Sequence, residues 1–527
     1  MIIKATTMSI TIKHNFYILT LLSGLILCSC SISESPTDQI DESKVYTSPS
    51  AIYQHAVATL YGYVGGNADG QGLQGMPRGV YDLQTFGSDE AIMPTRGVDW
   101  FDGGMWQAMY FHSWNAGHEI VKNSWLYLYK VVALCNRSLE IIERHKDMLS
   151  MIQYNQYTAE VRALRAIYYW YLLDLFGNVP IVTSSDVSMN DVKQSSRPEV
   201  FAFVENEIRA VVPYLLSGKS NEKGQLYGRV TVPVVYFILA KLYLNAEVYG
   251  AGPHWEETIE ACDIIGQLGY RLSEDYSDNF DVNNENSVEN IWIIPMDRVL
   301  YSNYQHNIIR SLHWRHADAC GYLGENGTSA TLTVLRVSHF GEDDEDQRFT
   351  KNYWGTYAFD LNSLRISDRN GELLKYYPWE VRYDMKGSPY LETAGARMRK
   401  YQPDWDSNHN GDLIDNDIVL FRYADVLLMK AEAKVRLDRD GQSEFNLVRS
   451  RARMPERPAT LDNIYDERLM ELAWEGWRRN DMIRFGRYQS ESIPNTRVNE
   501  SDGHTILFPI PSSAMDTNHN LEQNPGY

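Results

Sequence analysis

From about residue 50 onward, apolar side chains recur every three to four positions along most of the chain, the period of a helix that buries one face. In TAEVRALRAIYYWYLLDLFGNVP (158–180), Val161, Leu164, Tyr168, Leu172 and Leu175 fall on one stripe, and Gly177 with Pro180 supplies a stop. The same period predicts helices over 125–145, 198–216, 231–249, 255–268, 421–437, 443–453 and 465–485. Four of these runs form two pairs with short turns between them. VPVVYFILAKLYLNAEVYG precedes AGPHWEETIEACDIIGQLG, and RYADVLLMKAEAKVRL precedes DRDGQSEFNLVRSRAR. Both pairs look like tetratricopeptide-type hairpins, with spacing too irregular for a strict repeat of about 34 residues. Between about 270 and 415 the period weakens and Tyr, Trp, Asn and Gly become frequent. That region, like GYVGGNADGQGLQGMPRG (62–79), reads as long loops and short strands inserted into the scaffold, with ENIWIIP (289–295) as one strand. The expected fold class is mostly α, a tetratricopeptide-like helical hairpin scaffold with long loops and a few short strands.

The first 50 residues follow other rules. Lys4 and Lys13 precede FYILTLLSGLIL (16–27), an apolar run of signal-peptide length, too short to span a bilayer comfortably. CSCSISESPTDQIDES follows directly. A Cys after a signal core is what lipoprotein processing requires, and Cys30, with the small Ser29 before it and Leu27 three back, suits it better than Cys28. The expected layout is a lipoprotein signal peptide at 1–29, a lipidated flexible tether at 30–50 and a single domain over 51–527. Cys135, Cys262 and Cys320 are far apart and odd in number, so they read as buried free thiols.

Charge and motifs narrow the chemistry. The 69 acids against 49 bases leave a net charge of -20 and no basic run, which argues against nucleic acid. GQGLQG (70–75) satisfies G-x-G-x-x-G without a leading strand and reads as loop. EDDED (342–346) reads as a solvated face. DSNHNGDLIDND (406–417) has the spacing of an EF-hand loop: Asp406, Asn408 and Asn410 at positions one, three and five, Gly411 at six, the Asp412 carbonyl at seven and Asp417 at twelve. Those oxygens converge on Ca²⁺ only if the chain turns sharply at the glycine. Pro403 denies the loop an incoming helix and Asp reaches less far than Glu, so an Asx-turn loop is the competing reading. One further stretch, VDWFDGGMWQAMYFHSW (98–114), places Trp100 among glycines that break regular structure, while Trp106 and Trp114 sit eight apart, near helical spacing, and read as core.

Several stretches, in order, resemble blocks of the SusD/RagB family of surface glycan-binding lipoproteins. They are VRALRAIYYWYLLDLFGNVPIV (161–182), GRVTVPVVYFILAKLYLNA (228–246), LFRYADVLLMKAEAKVR (420–436), FNLVRSRA (445–452), ERLMELAWEGWRRNDMIRFGR (467–487) and FPIPSSAMDTNHNLEQNPGY (508–527). The resemblance implies a lipid-anchored protein on the outer face of the outer membrane. It would capture oligosaccharide or polysaccharide without catalysis and deliver it to a SusC-like TonB-dependent transporter. It also implies that Arg162, Arg165, Glu475 and Arg478 are structural. Two other readings compete: a protein-interaction subunit of a peptide or other nutrient importer, and an α-helical glycoside hydrolase.

The family does not mark its sugar contacts by motif, so they are argued from the loops. A sugar needs a flat ring for its C–H face and polar groups for its hydroxyls. Trp100 with Arg96, Asp99 and Asp102 has that composition, and Trp314 with His313, Arg315, Tyr301 and Tyr304 is the candidate for the opposite wall. No organic cofactor is expected, and Ca²⁺ is the candidate ion.

Overall fold

The helices of the scaffold start and stop where capping chemistry tells them to. Ser150 accepts the Gln153 N–H and the Gln153 side chain returns to the Ser150 N–H, opening the longest buried helix. It closes at Gly177, whose φ is +75° and where an added Cβ would lie 2.8 Å from Leu507. The computed structural model describes residues 42–66, 70–299, 306–360, 362–404, 414–489 and 503–527. Ser48–Tyr527 form one compact unit; before it, Glu42–Val45 makes a single helical turn.

Numbered along the chain, the scaffold helices are α1 Glu119–Arg144, α2 Met151–Phe176, α3 Arg197–Val211, α4 Val232–Leu244, α5 Trp255–Gln267, α6 Tyr423–Arg436, α7 Gln442–Arg451, α8 Leu461–Glu471 and α9 Arg478–Arg484. Consecutive helices pack in pairs, α1 on α2, α2 on α3, α4 on α5, α5 on α6 and α6 on α7, so each buries its stripe against its neighbours. From Ala159 to its end α2 is buried on every side except at Arg162, making it a core helix instead of the one-faced helix the stripe predicts.

The run at 465–485 is two helices, not one. The chain leaves α8 at Glu471 and re-enters helix at Arg478, with Trp474 at φ +65° and Gly476 at φ +75° between them. The break has an electrostatic purpose. It drops Glu475 onto Arg422 at 2.8 Å and Lys400 at 2.6 Å, while Glu471 bonds Arg422 at 2.6 Å and Arg348 at 2.9 Å. All five groups are buried. Burial alone would raise the Glu471 pKa, but the charges of Arg451, Arg422 and Arg348 outweigh it and hold the carboxyl well below the usual range. Losing one partner of such a cluster strands the others in low dielectric, a penalty of roughly 3 to 5 kcal/mol.

That cluster also fastens the loop-rich insert. Strand Asn290–Ile294, the one predicted, pairs antiparallel with strand Ile418–Arg422, so the two ends of the insert close on each other. Arg348 and Lys400, from inside the insert, reach the same carboxylates as Arg422 and Arg451 from the scaffold. The remaining strands are two-residue antiparallel pairs: Ala91–Ile92 with Ser329–Ala330, Val179–Pro180 with Gln194–Ser195, and Tyr353–Trp354 with Arg397–Met398.

Several smaller expectations meet their structures here. Arg165 pairs with Glu207 at 2.8 Å, Arg162 with the same carboxylate at 2.6 Å, and Arg478 with Asp89 at 2.6 Å, all as structural ion pairs. Cys135, Cys262 and Cys320 are buried free thiols. Residues 70–75 form an irregular loop. The acidic run 342–346 is only partly solvated: Glu342, Asp343 and Asp344 are exposed, whereas Asp346 is buried against Arg348 at 2.6 Å.

Candidate functional site

Trp100 owes its position to the backbone. Arg96 and Asp99 exchange backbone hydrogen bonds at 3.0 and 3.2 Å, closing a tight hairpin over Gly97 at φ +72°. Trp100 itself takes φ +61°, Asp102 +42°, Gly103 +66° and Gly104 +88°, a run of left-handed residues costly for side chains and held only if the surroundings require it. The requirement is visible. The Trp100 indole N–H donates to the Glu325 carbonyl at 3.0 Å, its ring meets the Trp106 ring edge-on at 6.3 Å, and Gly327 leaves the room, since a Cβ there would come within 2.6 Å of the indole. The ring ends half-buried, one side on the scaffold. Beside it Phe101 is 51% and Val98 90% exposed.

Trp314 opens the short helix Trp314–Ala319, capped by His313, whose Nδ1 accepts the Arg315 N–H at 3.2 Å. It too is half-buried. Its backbone packs on Gly324, where a Cβ would lie 3.0 Å from the Trp314 Cα. The strap 323–327 touches the Trp314 backbone through Gly324 and the Trp100 indole through Glu325 and Gly327, with Leu323 57% exposed on it. One short segment thus contacts two tryptophans more than 200 residues apart in sequence.

The polar neighbours divide differently from expectation. Arg96 is buried and donates to the carbonyls of Leu391 at 2.8 Å and Ala394 at 2.9 Å and to the Ser329 hydroxyl at 3.0 Å, so it clamps the Trp100 hairpin from below and offers nothing outward. Asp102 accepts the Trp106 indole N–H at 2.8 Å and pairs with Arg78 at 3.3 Å, so it too braces the loop. Asp99 is exposed. His313 is buried, with Nε2 3.4 Å from the Glu392 carboxylate, and because Nδ1 is an acceptor its neutral ring carries the proton on Nε2. Burial, then the Arg397 charge, pushes its pKa down to about 4. Arg315 is exposed. Tyr301 and Tyr304 lie outside the described residues.

Three groups on this face escape a reading of the sequence. Phe101 is flagged only by adjacency to Trp100, Leu323 by nothing, and Arg369, whose guanidinium lies 5.5 Å from the Trp314 ring centroid, sits 55 positions from the ring it covers.

A separate cleft of about 340 Å³ lies between Tyr53, Tyr61, Tyr227 and Arg229. Its phenols and guanidinium are already committed: Tyr53 and Tyr61 donate to Glu160 at 3.1 and 2.6 Å, and Arg229 forks onto the same carboxylate. It has ring area but few free polar groups, and the Trp100–Trp314 face suits a hydroxyl-rich ligand better.

Of the calcium-loop candidates, Asp406, Asn408, Asn410 and Asp412 lie outside the described residues, as does Cys30. Asp417 is described, and both its oxygens hold protein donors, the Tyr227 hydroxyl at 2.5 Å and the Met296 N–H at 2.9 Å. Burial pushes its pKa up to about 7.

The fold is thus a helical-repeat scaffold that carries half-buried tryptophans on its loops. The chain belongs to the SusD/RagB family: the SusD family model matches residues 266–527, and a second model, described as starch-binding associating with outer membrane, matches 82–244. The starch-binding protein SusD of Bacteroides thetaiotaomicron is 26% identical over 566 aligned positions, covering 97% of each chain. SusD-like protein P25 of Formosa agariphila is 24% identical, over 76% of this chain and 77% of its own. Among solved structures, the surface glycan-binding protein A of Bacteroides thetaiotaomicron in complex with laminarihexaose superposes with a TM-score of 0.71 at 21% identity, over 89% of this chain and 98% of its own. A laminarin-binding SusD-like protein gives 0.69 at 20%, over 93% and 100%. At these identities the structural likeness establishes the fold.

Proposed function

We propose that the protein captures an oligosaccharide at the cell surface on the Trp100–Trp314 face, and passes it to a SusC-type TonB-dependent transporter without cleaving it. The observation that carries this is the pair of half-buried tryptophans that the 323–327 strap contacts, the indole of Trp100 and the backbone of Trp314. The relatives support it: one is a starch-binding protein, and one solved neighbour is complexed with laminarihexaose. A pyranose stacks its C–H face on such a ring while the outward polar groups, Asp99 and Arg315 among them, take its hydroxyls. Anchoring through a lipid on Cys30, and a calcium ion in the 406–417 loop, complete the reading.

Calorimetric titration against a panel of soluble polysaccharides, paired with thermal melting, tests it. Trp314→Ala is expected to weaken binding by about 1 to 3 kcal/mol, by analogy with bases stacking on aromatics, with folding intact. Because Trp100 also supports the loop, Trp100→Ala is paired with Trp100→Phe, which keeps a stacking ring and retains most of the affinity. Incubation with the bound glycan releases no new reducing ends. Unchanged affinity in both alanine variants, together with a large fall in melting temperature, assigns the rings to the core and defeats the proposal.

A further inference from the structure

We propose that the captured glycan is acidic, bearing uronate carboxylates or sulfate esters, and that these groups are received at the Trp314 end of the face by Arg315 and Arg369. This deepens the glycan-binding reading and rests on it. The hairpin that carries Arg369 is built on antiparallel bridges Tyr357↔Lys375, Phe359↔Arg365 and Ser367↔Leu373, over a small core of Ala358, Leu374 and Tyr376. The Arg369 guanidinium lies 5.5 Å from the Trp314 ring centroid, and Arg315, next to Trp314 in sequence, is exposed.

What distinguishes these cations is the company they lack. Among the described residues, neither Arg315 nor Arg369 is ion-paired with a carboxylate; Arg315 reaches only the Asp368 backbone carbonyl, at 3.5 Å. Elsewhere on the loops near the site the pairing is made: Arg78 has Asp102 and Glu119, and Glu325 has His306 at 3.3 Å. Nor do the acids of the hairpin region answer the cations. Asp360 turns its Oδ1 to the N–H groups of Asn362 and Leu364, both at 2.9 Å, Asp368 to those of Asn370 and Glu372, and Asp384 to that of Lys386. Those carboxylates close their own turns.

The donor inventory points the same way. Arg and Lys only donate hydrogen bonds, whereas a neutral sugar hydroxyl both donates and accepts; a carboxylate or sulfate only accepts. A guanidinium resting on a ring is held in orientation, leaving its N–H fork ready for a bidentate oxyanion.

Matched pairs of polysaccharides separate the possibilities: polygalacturonate against its methyl ester for carboxylates, and chondroitin sulfate against its desulfated form for sulfates, with laminarin as a neutral glucan. The acidic member of at least one pair is expected to bind about tenfold or more tighter, and to lose that advantage as salt is raised from about 50 to about 300 mM. The pair that responds identifies the acid. In the Arg315→Gln/Arg369→Gln double variant the two members of that pair bind alike, at an unchanged melting temperature. Neutral members binding as tightly as acidic ones, with Trp314→Ala abolishing both, overturns this inference and leaves glycan capture standing. Binding to no member overturns glycan capture and this inference together.

Discussion

Trp100 and Trp106 are the same residue type six positions apart, and backbone conformation alone separates their roles. Trp106 lies inside the helix Met105–Phe111 and is 2% exposed, its N–H spent on Asp102; Trp100, at φ +61°, is turned out of the core. Composition around a ring is therefore a poor guide to what the ring's neighbours do. Arg96, Asp102 and His313 have the polar character a sugar needs and are each consumed by the protein, because a loop of left-handed residues is stable only if buried donors and acceptors hold it. The glycines around Trp100 flagged the loop; the partners of those side chains come from Leu391, Ala394 and Glu392, which no local pattern connects to residue 96 or 313. The histidines under the site carry a pH prediction. Burial, reinforced by nearby positive charge, pushes His313 to about 4 and His316 to about 3, from an unfolded value near 6.5. The unfolded chain binds more protons than the fold between those values, so stability is full above pH 6.5 and falls as pH drops toward 4, each histidine costing at most about 1.4 kcal/mol for every pH step of one. Replacing His316 with Asn flattens that part of the melting-temperature profile relative to wild type; an unaltered slope between pH 6.5 and 4 refutes the assignment.

At the scale of elements, the helices were legible because each buries its own stripe, and the departures arise where an element answers to distant partners. The single run at 465–485 had unbroken period, yet the chain interrupts it so that Glu471 and Glu475 can meet Arg348, Lys400 and Arg422. Helix periodicity cannot register a carboxylate's need for a guanidinium more than 100 positions away. The stem of the 406–417 loop shows the same tension. Asp404 accepts the Asp415 N–H at 3.0 Å, Asp415 accepts the Arg298 N–H at 2.9 Å, and Asp417 is taken by Tyr227 and Met296, so the loop base is tied to protein. A cation there would draw on Asp406, Asn408, Asn410 and the Asp412 carbonyl, with Asp417 shared with Tyr227, a weaker set than five free ligands and one suited to the millimolar affinities of extracellular modules. Excess Ca²⁺ is accordingly expected to raise the melting temperature over an EDTA-treated sample by a few degrees, since a ligand bound only to the fold stabilises by mass action. Coincident melting curves, with no calcium by elemental analysis, leave the Asx-turn loop as the reading of that sequence.

For the whole molecule, the order of six sequence blocks pointed to the family before any coordinate did; five of them lie on scaffold helices, and the last, 508–527, is loop around the short helix Ser512–Thr517. The insert was visible only as a loss of period: its closure by strands Asn290–Ile294 and Ile418–Arg422, and its ion-pair attachment, depend on contacts the chain makes across more than 100 residues. Where the molecule sits is a separate matter, and we propose that its first 30 residues govern it. A capture protein that serves a transporter must be held near it, and diffusion of a released protein into the medium would carry the bound sugar away. No described helix is long and apolar enough to cross a membrane. A lipid on Cys30 would provide the hold, with the polar stretch 31–41 as spacer before the turn Glu42–Val45. A single acyl chain binds a bilayer only marginally, so the diacylated thiol of a lipoprotein is the form that anchors durably. Cys30→Ala is expected to move the protein from the membrane pellet to the soluble or unprocessed fraction, while Cys28→Ala, which leaves Ser29 and Leu27 in place before the cut, keeps it in the pellet. Metabolic labelling with an alkyne fatty acid, read on intact cells alongside surface protease accessibility, separates failed lipidation from failed export. Label incorporated at wild-type level into the Cys30→Ala protein would place the anchor elsewhere in the chain.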